Sequence, residues 1–200
     1  MSLAKQLPDF PWDSLVEARR VAGEHPGGIV DLSVGTPVDP TPRIATDALV
    51  AASDAHGYPT VWGTPELRDG IVDYLERRWS ACGLRHDSVL PVIGTKELVG
   101  WLPTFLGLGN GDVVVHPEIA YPTYEVGARA AGAKSVACDD PEALPTGTRL
   151  IWINSPANPS GRILSLERLR AWVAVARREG AVLASDECYG EFAWEREATS

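Results

Sequence analysis

From Val89 onward the chain alternates short apolar runs with stretches of helical spacing. Val89–Ile93, Asp112–His116, Lys134–Cys138, Leu150–Asn154 and Ala181–Ser185 are rich in Val, Ile and Leu and read as strands, the last of them a buried one. Thr95–Leu108 and Pro122–Ala131 read as helices, and a third is capped by Ser165 and stopped by Gly180. Strand–helix alternation predicts an α/β fold, three-layered, with a mostly parallel sheet covered by helices. Residues 139–149 read as a surface loop. Before Val89 the pattern is weaker. Residues 1–42 are rich in Pro and Gly, with one short helix around Trp12–Ala22 and a short strand at Ile29–Ser33. Pro42 after Thr41 reads as a helix start. Thr64-Pro65-Glu66 repeats that signal more strongly, followed by Leu67, Ile71, Tyr74, Leu75 and Trp79 at helical intervals.

Composition narrows the classes. The 200 residues are 44% hydrophobic and 22% charged, with a net charge of −9 and no Lys/Arg-rich run, which argues against nucleic acid and anionic membrane as partners. The apolar runs are too short to span a bilayer. The segment MSLAKQLPDFPWD has no apolar core of a signal peptide. Cys82, Cys138 and Cys188 are too few and too scattered for a disulfide framework or a zinc site, so the cytoplasm is the expected compartment.

In parallel sheets, ligands bind beyond the carboxyl ends of the strands, and the polar residues of interest fall there. Gly94-Thr95-Lys96-Glu97 sits at a strand-to-helix turn, where free N–H groups and the helix dipole suit an anion such as phosphate; it reads equally as an ordinary capped helix. Asp186 ends an apolar run, where a carboxylate is costly without a partner. A pyridinium nitrogen would be such a partner; capping a turn is the plainer role. Asn158 lies in Ser155-Pro156-Ala157-Asn158-Pro159-Ser160-Gly161, either a rigid mount for an amide donor or simply a turn. Tyr189, three residues past Asp186, could reach the same ligand or pack with its hydroxyl satisfied. Tyr121 and Tyr124, in Ala120-Tyr121-Pro122-Thr123-Tyr124, could stack on a ring, although core packing suits Tyr124 better. Tyr58, between Gly57 and Pro59, suits an interface.

Together these motifs resemble fold-type I aminotransferases dependent on pyridoxal 5′-phosphate (PLP). The resemblance runs from about Asp31 to the last residue, through Tyr58…Gly63-Thr64-Pro65-Glu66-Leu67-Arg68, Gly94-Thr95-Lys96-Glu97, Tyr121-Pro122-Thr123-Tyr124, Asn158-Pro159-Ser160-Gly161 and Ser185-Asp186-Glu187-Cys188-Tyr189. Within that superfamily, Asp31–Pro42, Trp101-Leu102-Pro103-Thr104 and Ala120–Arg129 are similar to the actinobacterial succinyldiaminopimelate aminotransferases. The resemblance implies PLP as cofactor, amino acids and 2-oxo acids as substrates, lysine biosynthesis as the setting, and a homodimer with shared active sites. It implies that Thr95 and Lys96 help hold the phosphate, that Tyr121 stacks on the pyridine ring, and that Asn158 and Tyr189 hydrogen-bond its phenolic oxygen. It further implies that Asp186 pairs with the ring nitrogen, that Tyr58 reaches the partner's phosphate, and that Gly35 lies near the substrate carboxylate. Residues 1–42 would be an arm and the start of a small domain, and 43–200 the N-terminal part of the PLP-binding large domain.

One departure bears on activity. The lysine that binds the cofactor covalently lies, in the family, in a Ser-x-x-Lys segment some tens of residues after Asp-x-x-Tyr. Here the lysines are Lys5, Lys96 and Lys134, and none matches. The expectation is an N-terminal fragment, inert by itself, whose parent transaminates N-succinyl-diaminopimelate with 2-oxoglutarate. An aspartate or aromatic aminotransferase, a PLP lyase of the same fold and an inactive remnant are the alternatives.

Overall fold

The computed structural model describes residues 7, 8, 11–192 and 194. After a 3-10 turn at Pro11–Leu15, the first helix, α1, spans Val16–Gly23. Next come α2 (Arg43–Ala51) and α3 (Pro65–Trp79). Thr64 starts α3 as expected: its hydroxyl accepts from the Leu67 N–H at 3.2 Å, with Pro65 in the first turn. Pro42 precedes α2 without a side-chain cap. None of these three helices buries a residue in this chain.

The compact part begins with α4 (Thr95–Phe105) and continues through β1 (Val113–His116), α5 (Thr123–Ala130) and β2 (Lys134–Ala137). It closes with β3 (Thr148–Asn154), α6 (Leu166–Glu179) and β4 (Val182–Asp186). All four strands are parallel, in the order β2-β1-β3-β4. The winding reverses between β1 and β3, the place where such sheets open a crevice. Alternation of side chains along the strands divides the core between the two faces. Val113, Val115, Ile151 and Ile153 meet Trp172, Val175 and Ala176 of α6. On the other face Val114, Leu150 and Trp152 meet Val99 of α4 and Tyr124 and Ala128 of α5. The expected α/β fold with a parallel sheet between helices is thus the one observed.

α6 is delimited as the sequence predicts. Ser165 accepts from the Arg168 N–H at 3.2 Å, and Gly180 ends the helix at φ +63°. α4 and α5 cross closely because Gly127 has no side chain: a Cβ there would lie 2.8 Å from the Gly100 carbonyl oxygen and 2.9 Å from that of Val99.

Three expectations are corrected. Ile29–Ser33 and Val89–Ile93 form no strand. Apolar β-branched residues permit extended backbone, but a strand exists only where a neighbour takes up its N–H and C=O groups. No described segment pairs with either run, Pro91 lacks an N–H, and Val30, Leu32 and Ile93 are largely exposed. β4 forms as expected, one residue shifted, but it is not buried. It is the outer strand of the described sheet; Leu183 and Ala184 are partly covered by the core and only Asp186 within it is buried. Residues 139–147 form the expected loop, with one 3-10 turn at Pro141–Ala143, but the last two residues of the expected span, Thr148 and Arg149, already belong to β3 because Thr148 pairs with Val113 of β1.

Candidate active site

β4 carries Asp186 to the carboxyl edge of the sheet, level with Asn154 at the end of β3. Asp186 is 7% exposed, and its carboxylate is held on both sides. The Tyr124 hydroxyl donates to Oδ2 at 2.8 Å and the Cys188 N–H to Oδ1 at 3.2 Å. Tyr124 is fully buried, stacked on Trp152 with ring centroids 5.1 Å apart and met edge-on by Tyr121 at 6.1 Å. Burial, and then the charge of Asp186, push the Tyr124 hydroxyl well above the ordinary tyrosine range, so that it stays a donor. The same two causes raise the Cys188 thiol to about 12. Burial raises Tyr189 too, with Cys188 and Asp186 adding to it.

Asn154 ties the next loop to this strand end. Its amide donates to the Asp186 carbonyl at 2.8 Å, and its Oδ1 accepts from the Asn158 N–H at 2.7 Å. Within that loop Gly161 N–H donates to Ala157 O at 2.7 Å, Ala157 N–H donates to Arg162 O at 3.0 Å, and the peptides before Pro156 and Pro159 are cis. Asn158 is therefore mounted on a closed loop anchored to Asp186.

Six of the expected residues meet around one cavity of about 170 Å³: Thr95, Lys96, Tyr121, Asn158, Asp186 and Tyr189. Tyr124, Asn154 and Cys188 line it as well. Thr95 and Lys96 come from the first turn of α4, which Gly94 leaves without a side-chain cap. The first N–H groups of a helix have no intrahelical partners and bear partial positive charge, so this end suits an anion. A wider depression of about 770 Å³ adjoins the cavity, sharing Asn158 and Tyr189 and adding Arg162 and Trp194. Neither Tyr58 nor Gly35 lines the cavity; Tyr58 stands fully exposed, as an interface residue would in one isolated chain. Lys134 opens β2 away from it, and Lys5 lies outside the described residues.

Sequence reasoning assigned Tyr124 to the core, which is right for its ring and incomplete for its hydroxyl. The sequence sets Asn154 at the end of a strand, at the head of the polar stretch that continues to Pro159, and gives its side chain no role. The signal for both was Asp186: a buried carboxylate needs donors, and a tyrosine or amide at the same sheet edge supplies them. The donor set fits a flat, anionic, nitrogen-bearing cofactor. A helix start and a threonine suit a phosphate, an amide and a phenol suit an anionic ring oxygen, a carboxylate suits a ring N–H, and Tyr121 offers an aromatic face.

The aminotransferase class I and II family model matches residues 28–200. A probable aminotransferase of Mycobacterium tuberculosis is 52% identical over 99% of this chain and 48% of its own length. The 4-dedimethylamino-4-oxo-anhydrotetracycline transaminase of Streptomyces rimosus is 48% identical over 98% of this chain and 55% of its own. A solved aminotransferase from Neisseria meningitidis superimposes with a TM-score of 0.83 at 32% identity, over 95% of this chain and 53% of that one. The chain spans about half the length of the curated relatives it matches. By its sequence, its sheet and the residues gathered at the sheet's edge, the chain belongs to the class I and II aminotransferases, a family whose cofactor is pyridoxal 5′-phosphate.

Proposed function

We propose that the whole protein moves an amino group from an amino acid to a 2-oxo acid, and that the cavity at Asp186 holds its PLP. The observation that carries this reading is the carboxylate of Asp186, buried at the strand end and fixed by Tyr124 and Cys188 at one wall of a cavity that also collects Thr95, Asn158, Tyr121 and Tyr189. When bound, PLP supplies an electron-poor ring that draws electrons from the substrate's α-carbon. The chain's own groups are arranged to support this. Asp186, oriented by Tyr124 and Cys188, would keep a proton on the ring nitrogen. Asn158 and Tyr189 would donate to the ring's phenolic oxygen, and Tyr121 would cover one face. Thr95 and the start of α4 would take the phosphate, with Lys96 beside them. Residues 1–42 fit this reading as an arm leading to the small domain, and Tyr58 as a contribution to the neighbouring subunit's site.

For the substrate we propose N-succinyl-diaminopimelate with 2-oxoglutarate as acceptor, on the similarity carried by Asp31–Pro42 and Ala120–Arg129. The relative named for a tetracycline precursor supports a second reading, a bulky cyclic ketone as acceptor, with the 770 Å³ depression as the space for it. Steady-state assays of the whole protein decide between them. The expected result is the highest kcat/KM for succinyldiaminopimelate. A higher value for aspartate, phenylalanine or a polycyclic ketone overturns the substrate assignment. In the same assay Asp186→Ala should lower kcat by about 100-fold or more while PLP still binds; activity within a few-fold of wild type overturns the role of Asp186.

A further inference from the structure

The turn that presents Tyr189 is fastened to a helix more than a hundred residues earlier. Oε1 of Glu191 accepts from the Tyr74 hydroxyl of α3 at 2.7 Å, and both carboxylate oxygens accept from Nε of Arg78, at 3.0 and 3.1 Å. The indole N–H of Trp79 donates to the same Tyr74 hydroxyl at 3.3 Å, and the Arg78 guanidinium lies 4.4 Å from the centroid of the Trp79 ring. Gly190 is buried under that ring: a Cβ at 190 would come within 3.0 Å of it. Three residues of one helix therefore grip two consecutive residues of the turn.

The turn transmits what grips it. Gly190 N–H donates to Glu187 O at 2.8 Å and Phe192 N–H to Tyr189 O at 2.9 Å, while the Tyr189 and Phe192 rings meet edge-on at 6.2 Å. Tyr189 is joined to Glu191 through one glycine, and among the described residues after Cys188 it is the one that reaches the cavity of Asp186. A single exposed ion pair would contribute little, but a carboxylate shared by a phenol and a guanidinium, over a packed indole, is a network. The Tyr74 hydrogen bond, and then Arg78, hold the Glu191 carboxyl below the ordinary range, so the latch stays charged at neutral pH.

We infer that Glu191, gripped by Tyr74, Arg78 and Trp79, is a positioning residue that sets where the Tyr189 hydroxyl stands and couples α3 to the cofactor site. This rests on the function proposed above. The test uses the whole protein and PLP itself, with the affinity and absorption maximum of bound PLP as readouts. Glu191→Ala should weaken PLP by about tenfold and shift its absorption in the same direction as Tyr189→Phe, and adding Tyr189→Phe to it should change little further. Glu191→Gln, which keeps one acceptor oxygen, should fall between wild type and Glu191→Ala. Effects of Glu191→Ala and Tyr189→Phe that simply add, or a wild-type spectrum and affinity in Glu191→Ala, overturn the inference. If Glu191→Ala does not fold, Tyr74→Phe and Glu191→Gln carry the same test, and wild-type PLP behaviour in both overturns it. A wild-type protein that takes up no PLP overturns the proposed function instead, and with it this inference.

Discussion

The Tyr124 hydroxyl donates to Oδ2 of Asp186 at 2.8 Å, joining α5 to the end of β4 across 62 residues of chain. Neither residue could stand at this place alone. A carboxylate shielded to this degree needs donors, and a phenol with no exposure needs an acceptor. The pair also sets what the carboxylate offers a ligand: Oδ2 already accepts from a group that keeps its proton, so the carboxylate is presented in a fixed orientation.

Replacing Tyr124 by Phe keeps the ring against Trp152 and removes only the donor. The expected cost is about 1–3 kcal/mol of folding stability, read by denaturant unfolding. The pH dependence has a definite sign. The folded state holds the Tyr124 proton more tightly than the unfolded chain does, so the stabilisation is complete below the ordinary tyrosine value of about 10 and declines as pH rises above it. Wild type should therefore lose more stability than Tyr124→Phe between about pH 9 and 11. Parallel curves for the two proteins would contradict the assignment.

The crossing of α4 and α5 gives a contrast between two glycines. In Gly127→Ala the new methyl meets the carbonyl oxygens of Gly100 and Val99 at 2.8 and 2.9 Å, and backbone cannot step aside. A loss of about 1–3 kcal/mol is expected. In Gly100→Ala the methyl meets Cγ2 of Thr123 at 3.7 Å, an ordinary contact, and helix propensity favours alanine by about 0.5–1 kcal/mol. Melting temperatures should move in opposite directions. Equal destabilisation of both variants would mean that the close approach at Gly127 is not what limits the site.

Tyr58, fully exposed and away from the cavity of its own chain, is expected to serve a neighbouring subunit. Tyr58→Phe and Asp186→Ala proteins, each impaired alone, should recover activity when mixed into hybrid dimers, because one site then combines an intact Asp186 with an intact Tyr58. Hybrids that form, as shown by native mass spectrometry, but stay as impaired as their parents would place Tyr58 outside the site.

What could be read from sequence was what local chemistry decides. Ser165, Gly180 and Thr64 mark helix ends because caps and left-handed stops act within a turn or two. Asp186, Asn158, Tyr121 and Tyr189 follow strand ends, which a parallel sheet gathers at one edge, whereas Thr95 and Lys96 reach the same cavity from the first turn of α4 without the strand expected before it. What could not be read depends on distant partners. Ile29–Ser33 and Val89–Ile93 have strand composition but no pairing neighbour, and β4 has a core composition but stands at the edge of the described sheet. Tyr124 looks the same from sequence whether its hydroxyl meets solvent, a carbonyl or Asp186. Only the placement of α5 on the sheet decides, and that is fixed by contacts far apart in the chain.

The bare contact at Gly127 has a consequence for how this fold diversifies. α4 opens with Thr95 and α5 follows Tyr121, so the phosphate-suited end of the cavity and its aromatic wall ride on two helices that touch main chain to main chain. At Gly127 no side chain comes between them, so the gauge separating those two walls is set there by main-chain atoms. Substitution elsewhere can repaint either wall, whereas any side chain at position 127 would press the two rails apart. Changes in what the cavity accepts are therefore expected outside the rails, as in the loop around Asn158, while the span between its two walls stays constant.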